Sequence, residues 1–247
     1  MIGFGIDIGG SGVKGAHVDL DTGALTSDRH RIPTPRPATP EAVITAVSEV
    51  IDHHDWTGPL GVTVPGIVID GIVRSAANID QGWMDFDART EMSAALDTEV
   101  SVINDADAAG LAEVRYGAPG TRDGVILVLT FGTGIGSAII NNGVLVPNSE
   151  FGHLEFHGMS AEAYAAARLV KRENMDIEWW AGRVNEFLQH MDVILSPQRV
   201  IFGGGVSKRF EEFRHLLHTR AEIVPARLRN NAGIVGAAMI AAPEEQR

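Results

Sequence analysis

Apolar runs that lead into glycine-rich turns recur three times along the chain. The first ends in "GGSG" and is followed by alternating small and polar residues, which predicts a β-hairpin within residues 3–32. The second leads through "FGTGIG" into two further strands over residues 124–146, and the third is "RVIFGGGVS", residues 199–207. Because strand, glycine-hydroxyl turn and strand occur twice in the same order, the pattern predicts a duplicated architecture with two domains.

Helical patterns lie between these strands. Thr39 followed by Pro40 is typical of an N-cap and first helical position, and apolar residues three and four apart continue to Trp56. The remaining pattern predicts helices over about 88–96, 106–116, 160–173, 177–195 and 231–242, a helix after 207, strands over 60–66 and 99–105, and short strands within 67–74. This alternation indicates an α/β protein.

Composition narrows the function classes. The 247 residues are 45% hydrophobic and 21% charged, which is ordinary for a globular protein. A net charge of −12 argues against nucleic-acid binding and would repel a polyanionic substrate unless local basic residues overcome it. The absence of cysteine excludes disulfides and thiolate zinc sites. No apolar run or leader indicates a membrane partner or secretion, so the expected location is the cytoplasm.

The spacing Gly10-x-Gly12-x-x-Gly15 matches a dinucleotide-binding fingerprint, but its context does not. That fingerprint requires a helix opening at the last glycine and an acidic residue about twenty positions on, whereas a second strand and a proline-rich loop follow here. A P-loop also fails, because Lys14 is followed by Gly15 rather than Ser or Thr. The turn therefore belongs to another kind of phosphate site or to a tight hairpin.

Glycine and hydroxyl residues in a turn let backbone N–H groups approach phosphate oxygens closely, since no Cβ intervenes. Three such turns after apolar strands favour phosphate binding. Asp7, on the first strand, is placed to hold Mg²⁺ or its water shell. Asp105, between a strand and a helix, is either an N-cap or a general base that accepts a proton from an attacking hydroxyl, and spacing does not distinguish these roles.

The segment 147–168 concentrates titratable side chains: Glu150, His153, Glu155, His157 and Glu162. Such a cluster is compatible with a metal site, with an edge that hydrogen-bonds sugar hydroxyls, or with a solvated loop.

Six ordered motifs, "DIGGSGVKG", "VPG", "VINDADAAG", "LTFGTGIGSAI", "EFGH" and "VIFGGGVS", resemble those of the ROK family (repressors, open reading frames, kinases) over nearly the whole chain. That family belongs to the actin and hexokinase superfamily, so the resemblance implies a duplicated, ribonuclease H-like fold with a cleft between two lobes. It implies a smaller lobe of residues 1–108 with about 235–247, and a larger lobe of residues 109–234. It also implies a homodimer.

The run "LVPNSEFGHLE" resembles the polyphosphate-using branch of the family, which implies transfer of a phosphoryl group from polyphosphate, and from ATP, to the 6-hydroxyl of glucose. The resemblance implies Asp105 as catalytic base. Glucose, or mannose as a second candidate sugar, would be bound by Gly66, Asn78, Asn104, Asp105, Glu150, His153 and Glu162. The donor would be bound by Asp7, Gly9, Gly10, Ser11, Gly12, Lys14, Thr130, Gly132, Thr133, Gly134, Gly203, Gly204 and Gly205, with Mg²⁺ held by Asp7 through water.

One departure from the family pattern concerns zinc. Most members carry a cysteine-rich zinc site after the histidine, whereas this chain reads "LEFHGMS" there, so no structural zinc is expected. The pairs Lys171–Arg172 and Lys208–Arg209 are candidates for a polyphosphate track or simply solvated helix faces.

Three alternatives stay open. One is a strictly ATP-dependent hexose kinase. Another is a non-enzymatic sugar-responsive regulator, disfavoured because the hairpin begins near Ile2 and leaves no room for a DNA-binding domain. The third is a filament-forming or chaperone-like ATPase, whose chemistry would not use the "EFGH" loop.

Overall fold

The computed structural model describes residues 1–76, 79–118, 120 and 122–243. The chain divides into two compact units: Met1–Ala112 with Asn231–Arg247, and Glu113–Asn230. No helix within the described residues is long and apolar enough to cross a membrane.

The elements of both units are defined here in chain order. The strands are β1 Ile2–Gly9, β2 Gly12–Asp19, β3 His30–Ile32, β4 Leu60–Val64, β5 Val68–Ile69, β6 Ile72–Val73, β7 Val100–Asn104, β8 Val125–Phe131, β9 Ile135–Asn141, β10 Val144–Val146, β11 Glu155–Phe156, β12 Met159–Ser160, β13 Arg199–Gly203 and β14 Glu222–Pro225. The helices are α1 Pro40–His53, α2 Ala88–Leu96, α3 Asp105–Ala112, α4 Ala161–Ala165, α5 Arg168–Arg172, α6 Ile177–Ile194, α7 Phe210–Phe213 and α8 Ala232–Ala241.

Each unit contains a five-stranded sheet, in the orders β3-β2-β1-β4-β7 and β10-β9-β8-β13-β14. In the first, β1 is antiparallel to β2 and parallel to β4, and β4 is parallel to β7. In the second, β8 is antiparallel to β9 and parallel to β13, and β13 is parallel to β14. The two sheets thus share one strand order and one pattern of directions, which confirms the predicted duplication and the α/β class.

Helix α8 packs backbone to backbone against the first sheet. A Cβ atom on Gly5 would lie 1.9 Å from the carbonyl oxygen of Ile234, and one on Gly61 would lie 1.7 Å from that of Ala237. Helix α8 is equally close to α3, because a Cβ atom on Gly236 would lie 1.9 Å from the Ala108 carbonyl oxygen. Glycine is required at these contacts because any side chain would separate the elements.

These contacts place the whole of α8 in the first unit. The two boundaries of that unit fall after Ala112 and before Asn231, whereas the family resemblance implied boundaries at 108 and 235. With that helix included, the first unit is slightly the longer of the two, whereas the sequence predicted it to be the smaller.

Several predicted helices are shorter than their sequence patterns indicated. The helix predicted over 160–173 is broken into α4 and α5 at Ala166, whose backbone is extended with ψ 146°. The break is stabilised from α6, since Trp180 Nε1 donates to the Ala165 carbonyl at 3.0 Å and Arg183 donates to that of Tyr164 at 3.1 Å.

After the third glycine turn, the expected helix consists of a 3₁₀ turn over Gly205–Arg209 and then the four-residue α7.

The Thr39 N-cap of α1 is confirmed, because its side chain accepts from Ala42 N, but α1 ends at His53 rather than Trp56.

Candidate active site

The first glycine turn is a tight hairpin in which Gly10 and Ser11 connect β1 to β2. Asp7 and Lys14 are direct partners across these strands, and the Lys14 ammonium lies 2.7 Å from Asp7 Oδ2. Thr63, opposite Asp7 on β4, donates to Asp7 Oδ1 at 3.0 Å. Three neighbouring strands therefore place a carboxylate, an ammonium and a hydroxyl in one row just below the turn.

Asn104 ends β7 and anchors the start of α3. Its Oδ1 accepts from the backbone N–H groups of Ala106 and Asp107 at 2.8 and 3.0 Å, and its Nδ2 donates to the Gly66 carbonyl at 3.0 Å. Asn104, 6% exposed, is therefore the helix N-cap, and Asp105 is the first helical residue. The half-buried Asp105 also accepts from Ala106 N, through Oδ1 at 2.8 Å.

Parallel strands bring these groups to one edge of the first sheet. β1, β4 and β7 run in the same direction and end at the glycine hairpin, at the Pro65–Gly66 turn and at Asn104–Asp105 respectively. Ligands of open α/β sheets bind at the carboxyl ends of parallel strands. The predicted phosphate turn, sugar edge and base of the first unit are thus neighbours.

The second glycine turn, between β8 and β9, is linked to α4 and α5. Gly132 N–H donates to the Gly134 carbonyl at 3.0 Å, and the Gly132 carbonyl accepts from Arg168 N at the start of α5 at 3.0 Å. A Cβ atom on Gly134 would lie 2.4 Å from Glu162 Oε2. The carboxylate of Glu162 therefore rests directly against this turn.

The loop that carries Glu150 and His153 is attached to β9 by a buried serine. Ser137, 2% exposed, donates through Oγ to the Ser149 carbonyl at 2.6 Å and accepts from Phe151 N at 3.0 Å, on either side of Glu150. The Glu150 carboxylate lies 3.8 Å from His153 Nε2. The sequence did not single out Ser137, because a serine inside a strand pattern carries no signal of the loop that it holds.

Electrostatics distinguishes Glu150 from an ordinary surface glutamate. Burial raises the pKa of its carboxyl group, the nearby Glu162 carboxylate raises it further, and His153 opposes both. Two carboxylates and an imidazole thus lie close together in the second unit. The described residues contain no group of three or more His, Cys, Asp or Glu side chains placed to hold a metal ion.

The third glycine turn adjoins the second. Gly203 on β13 pairs with Thr130 on β8, and Gly204, with φ 86°, lies where a Cβ would come 2.1 Å from the Phe131 carbonyl. The predicted adenosine motif and second phosphate motif therefore share one sheet edge.

The tips of all three turns have space beside them. A Cβ atom on Gly10, Gly132 or Gly205 would meet nothing within 4 Å, and none of the three has a left-handed backbone conformation. Neither packing nor conformation therefore requires glycine at these positions. What a side chain would obstruct there is the approach of a ligand to the backbone N–H groups.

Of the predicted site residues, only Asn78 lies outside the described part of the chain. The others fall into two groups, each within one unit: the Asp7–Lys14 hairpin with Gly66, Asn104 and Asp105, and the residues Thr130–Gly134 with Glu150, His153, Glu162 and Gly203–Gly205.

The donor set at Asp7 fits a magnesium ion held through water. Both carboxylate oxygens already have partners, in Thr63 and Lys14, and a cation bound directly to Oδ2 would lie beside the Lys14 ammonium unless Lys14 moved. A water of the hydrated ion can share the carboxylate without that change, and Mg²⁺ characteristically retains several waters.

Known proteins match both the sequence and the fold. The ROK family profile matches residues 3–169. The chain is 51% identical, over 238 residues, to a polyphosphate glucokinase of Mycobacterium tuberculosis, covering 96% of this chain and 90% of that protein.

Its structure resembles that of the inorganic polyphosphate/ATP-glucomannokinase of an Arthrobacter strain, with a TM-score of 0.91, 48% identity and 97% of each chain covered. It also resembles the ROK hexokinase of Thermus thermophilus, with a TM-score of 0.77, 26% identity and 98% of each chain covered. The chain belongs to the ROK family.

Proposed function

We propose that this protein transfers a phosphoryl group from inorganic polyphosphate, and also from ATP, to the 6-hydroxyl of glucose. The observation that carries the proposal is the 51% identity to a polyphosphate glucokinase over 96% of the chain. The three open glycine tips and the Asn104–Asp105 pair supply the groups that this reaction needs.

Asp105 is the general base of the proposed reaction. Its carboxylate accepts the proton of the 6-hydroxyl as the oxygen forms its bond to the terminal phosphorus atom of the donor. The bond between that phosphorus and the bridging oxygen breaks, and the donor leaves as a chain one unit shorter, or as ADP. Asn104 fixes the start of α3 with two hydrogen bonds, so it positions the Asp105 backbone.

The other proposed roles are divided between the site residues of the first unit and those of the second. In the first unit, Gly66, Asn78 and Asn104 bind sugar hydroxyls, and Asp7, Gly9–Gly12 and Lys14 bind the donor. In the second unit, Glu150, His153 and Glu162 accept hydrogen bonds from hydroxyls. Thr130, Gly132–Gly134 and Gly203–Gly205 bind phosphate and nucleoside. Bound Mg²⁺ would neutralise charge on the phosphate oxygens.

ATP as a second donor is supported by the position of Gly203 beside Thr130, which joins the adenosine motif to a phosphate turn. Acceptance of mannose is part of the proposal because the Arthrobacter protein is named a glucomannokinase. A homodimer and a cytoplasmic location remain predictions from the sequence.

The test measures glucose 6-phosphate formation by the purified protein with Mg²⁺, using nucleotide-free polyphosphate in one arm and ATP in the other. We expect turnover in both. Turnover with ATP alone would reduce the assignment to an ATP-dependent hexose kinase, and no product in either arm would refute it.

Replacing the base tests the mechanism. Asp105→Asn retains an oxygen for Ala106 N–H but cannot take the proton, so kcat should fall by about 10²–10⁴-fold with both donors. Asp97→Asn, at a left-handed position that asparagine tolerates, is the matched control. Near-normal turnover of a folded Asp105→Asn protein would remove Asp105 from this role.

A further inference from the structure

An arginine that no phosphate motif includes lies on the first glycine hairpin. Arg31 pairs with Lys14 in the register between β3 and β2, and its guanidinium donates to the Ser11 carbonyl. A Cβ atom on Gly12 would lie 2.5 Å from Arg31 Nε, so Gly12 is required for the guanidinium to lie flat on the turn. Arg31 is exposed, and its guanidinium has more N–H donors than the one used on Ser11.

The lysine of the same hairpin is less available to an anion. Lys14 is 20% exposed, and its ammonium is ion-paired with Asp7 at 2.7 Å. Of the two basic side chains beside the turn, Arg31 is therefore the one exposed to solvent.

A second arginine lines a pocket beside the hairpin. The pocket, of about 280 Å³, is lined by Gly9 and Gly10, by Pro65 and Ile79, and by the loop 34–38. Arg36 lies on that loop, is exposed, and has no hydrogen bond or ion pair with the residues that the structure describes. Asp80 also lines the pocket, but its Oδ1 accepts from Gly82 N at 2.8 Å as a local cap.

The loop that carries Arg36 is fixed at both ends. Thr34 donates through its hydroxyl to the Gly9 carbonyl, and the Ala38 carbonyl accepts from Nε1 of the fully buried Trp83 at 2.9 Å. Prolines at 33, 35 and 37 restrict the backbone between these anchors. The position of the Arg36 backbone beside the hairpin is therefore preorganised, so little entropy is lost there on binding.

We propose that Arg31 and Arg36 form a subsite for the phosphate groups of polyphosphate and that this subsite favours polyphosphate over ATP; the inference rests on the proposed function. Guanidinium groups bind phosphate oxygens through paired, charge-assisted hydrogen bonds. A polyphosphate chain carries charge on every unit, whereas ATP continues beyond its phosphates as an uncharged nucleoside. A protein of net charge −12 needs such local cations to hold a polyanion.

The experiment compares two double variants that remove the same charge. Arg31→Gln/Arg36→Gln alters the proposed subsite, and Lys171→Gln/Arg172→Gln alters the exposed basic pair on α5 of the second unit. KM for nucleotide-free polyphosphate and for ATP is measured at saturating glucose, over a range of salt concentrations, together with direct binding of polyphosphate. Arg36→Gln alone is a further variant, because Arg31 also contacts the Ser11 carbonyl and its removal could distort the hairpin.

We expect the first double variant to raise KM for polyphosphate by about 100-fold, since each lost charge-assisted contact weakens binding by about tenfold. KM for ATP should rise by less than about fivefold, because only part of the subsite contacts its phosphates. The salt dependence of polyphosphate binding should become shallower. Arg36→Gln alone should raise KM for polyphosphate more than KM for ATP, by a smaller factor than the double variant. Arg36→Lys should restore part of the affinity for polyphosphate that Arg36→Gln loses.

Equal losses for both donors, an unchanged KM, or a loss confined to the Lys171/Arg172 variant would each overturn the inference. If the unmodified protein uses polyphosphate and the Arg31/Arg36 variants match it, only the subsite is refuted. If the unmodified protein uses ATP and neither turns over nor binds polyphosphate, the proposed donor and the subsite fail together.

Discussion

The two glycine turns at corresponding positions of the two sheets differ in what surrounds them. Below the first turn, the cross-strand partners are the charged residues Asp7 and Lys14. Two residues before the second turn, the corresponding partners are Leu129 and Ser137, which carry no charge. The carboxyl group that rests against the second turn, at Gly134, is that of Glu162, from α4. Duplication of a sheet has therefore preserved its topology but not its chemistry.

This difference indicates a division of roles. The first turn carries its own carboxylate and cations, so under the proposed function it would meet the charge of the donor and of a hydrated magnesium ion. The second turn offers backbone groups and connects, through Gly134 and Ser137, to Glu162 and Glu150. We expect changes at the first turn to lower the rate of the chemical step. Changes at the second turn should also weaken binding of the acceptor sugar.

Among the changes that test this difference between the two turns, the largest effect is expected from Asp7→Asn. The substitution keeps an acceptor for Thr63 or Lys14 but removes the charge that would hold the hydrated magnesium ion, so kcat should fall by about 100-fold with either donor. Asp19→Asn, at the other end of the same hairpin, is the control for charge and should retain kcat. Rates of both variants and their melting temperatures would be compared. An Asp7→Asn enzyme with full kcat would break the assigned role of the first turn.

An intermediate effect is expected from Gly134→Ala. The new methyl group would overlap Glu162 Oε2, so this carboxylate must move, and glucose affinity measured by calorimetry without donor should fall by about tenfold. Gly182→Ala on α6 is the matched control, because a Cβ there meets nothing within 4 Å and alanine favours a helix. Unchanged glucose affinity in Gly134→Ala would mean that the second turn does not act on the acceptor.

The smallest effect concerns pH. Burial and the Glu162 carboxylate raise the pKa of Glu150, so its ionised form is lost at a higher pH than that of an ordinary glutamate as the solution is acidified. Because the ionised carboxylate is the better acceptor of a hydroxyl hydrogen bond, KM for glucose should rise a few-fold between pH 7 and pH 5. The Glu150→Gln variant should lose this pH dependence while starting from a weaker affinity. A flat profile in the unmodified protein would argue against contact between Glu150 and glucose.

Local patterns predicted most of the fold. The Thr39 cap, the β1–β2 hairpin and the repeat of strand and turn depend on neighbours in sequence, and each is present in the structure. The break at Ala166 could not be predicted in this way. The segment has helical composition, but Trp180 and Arg183, which are distant in sequence, donate hydrogen bonds to the carbonyls of the last residues of α4.

The sequence predicted the candidate site residues that belong to a motif. It did not predict those that are recognised only by their contacts with distant residues. Asp105 and the glycines lie in recognisable sequence contexts. Arg31 is visible only through its pairing with Lys14 on the neighbouring strand, and Ser137 only through hydrogen bonds to a loop twelve and fourteen residues later. Asn104 shows a further limit: the sequence offered Asp105 as the candidate N-cap, whereas the hydrogen bonds to Ala106 N and Asp107 N give that role to Asn104.

The packing of α8 against β1 and β4 has a consequence for biosynthesis. Residues 113–230 form a continuous stretch and can complete their core as soon as they leave the ribosome, whereas the first unit lacks one side of its sheet until residues 232–241 follow. The glycines at 5 and 61 leave narrow grooves on β1 and β4 that only this late helix fills. The part of the protein that is translated first therefore completes its core last, and until then its apolar surface is exposed to aggregation.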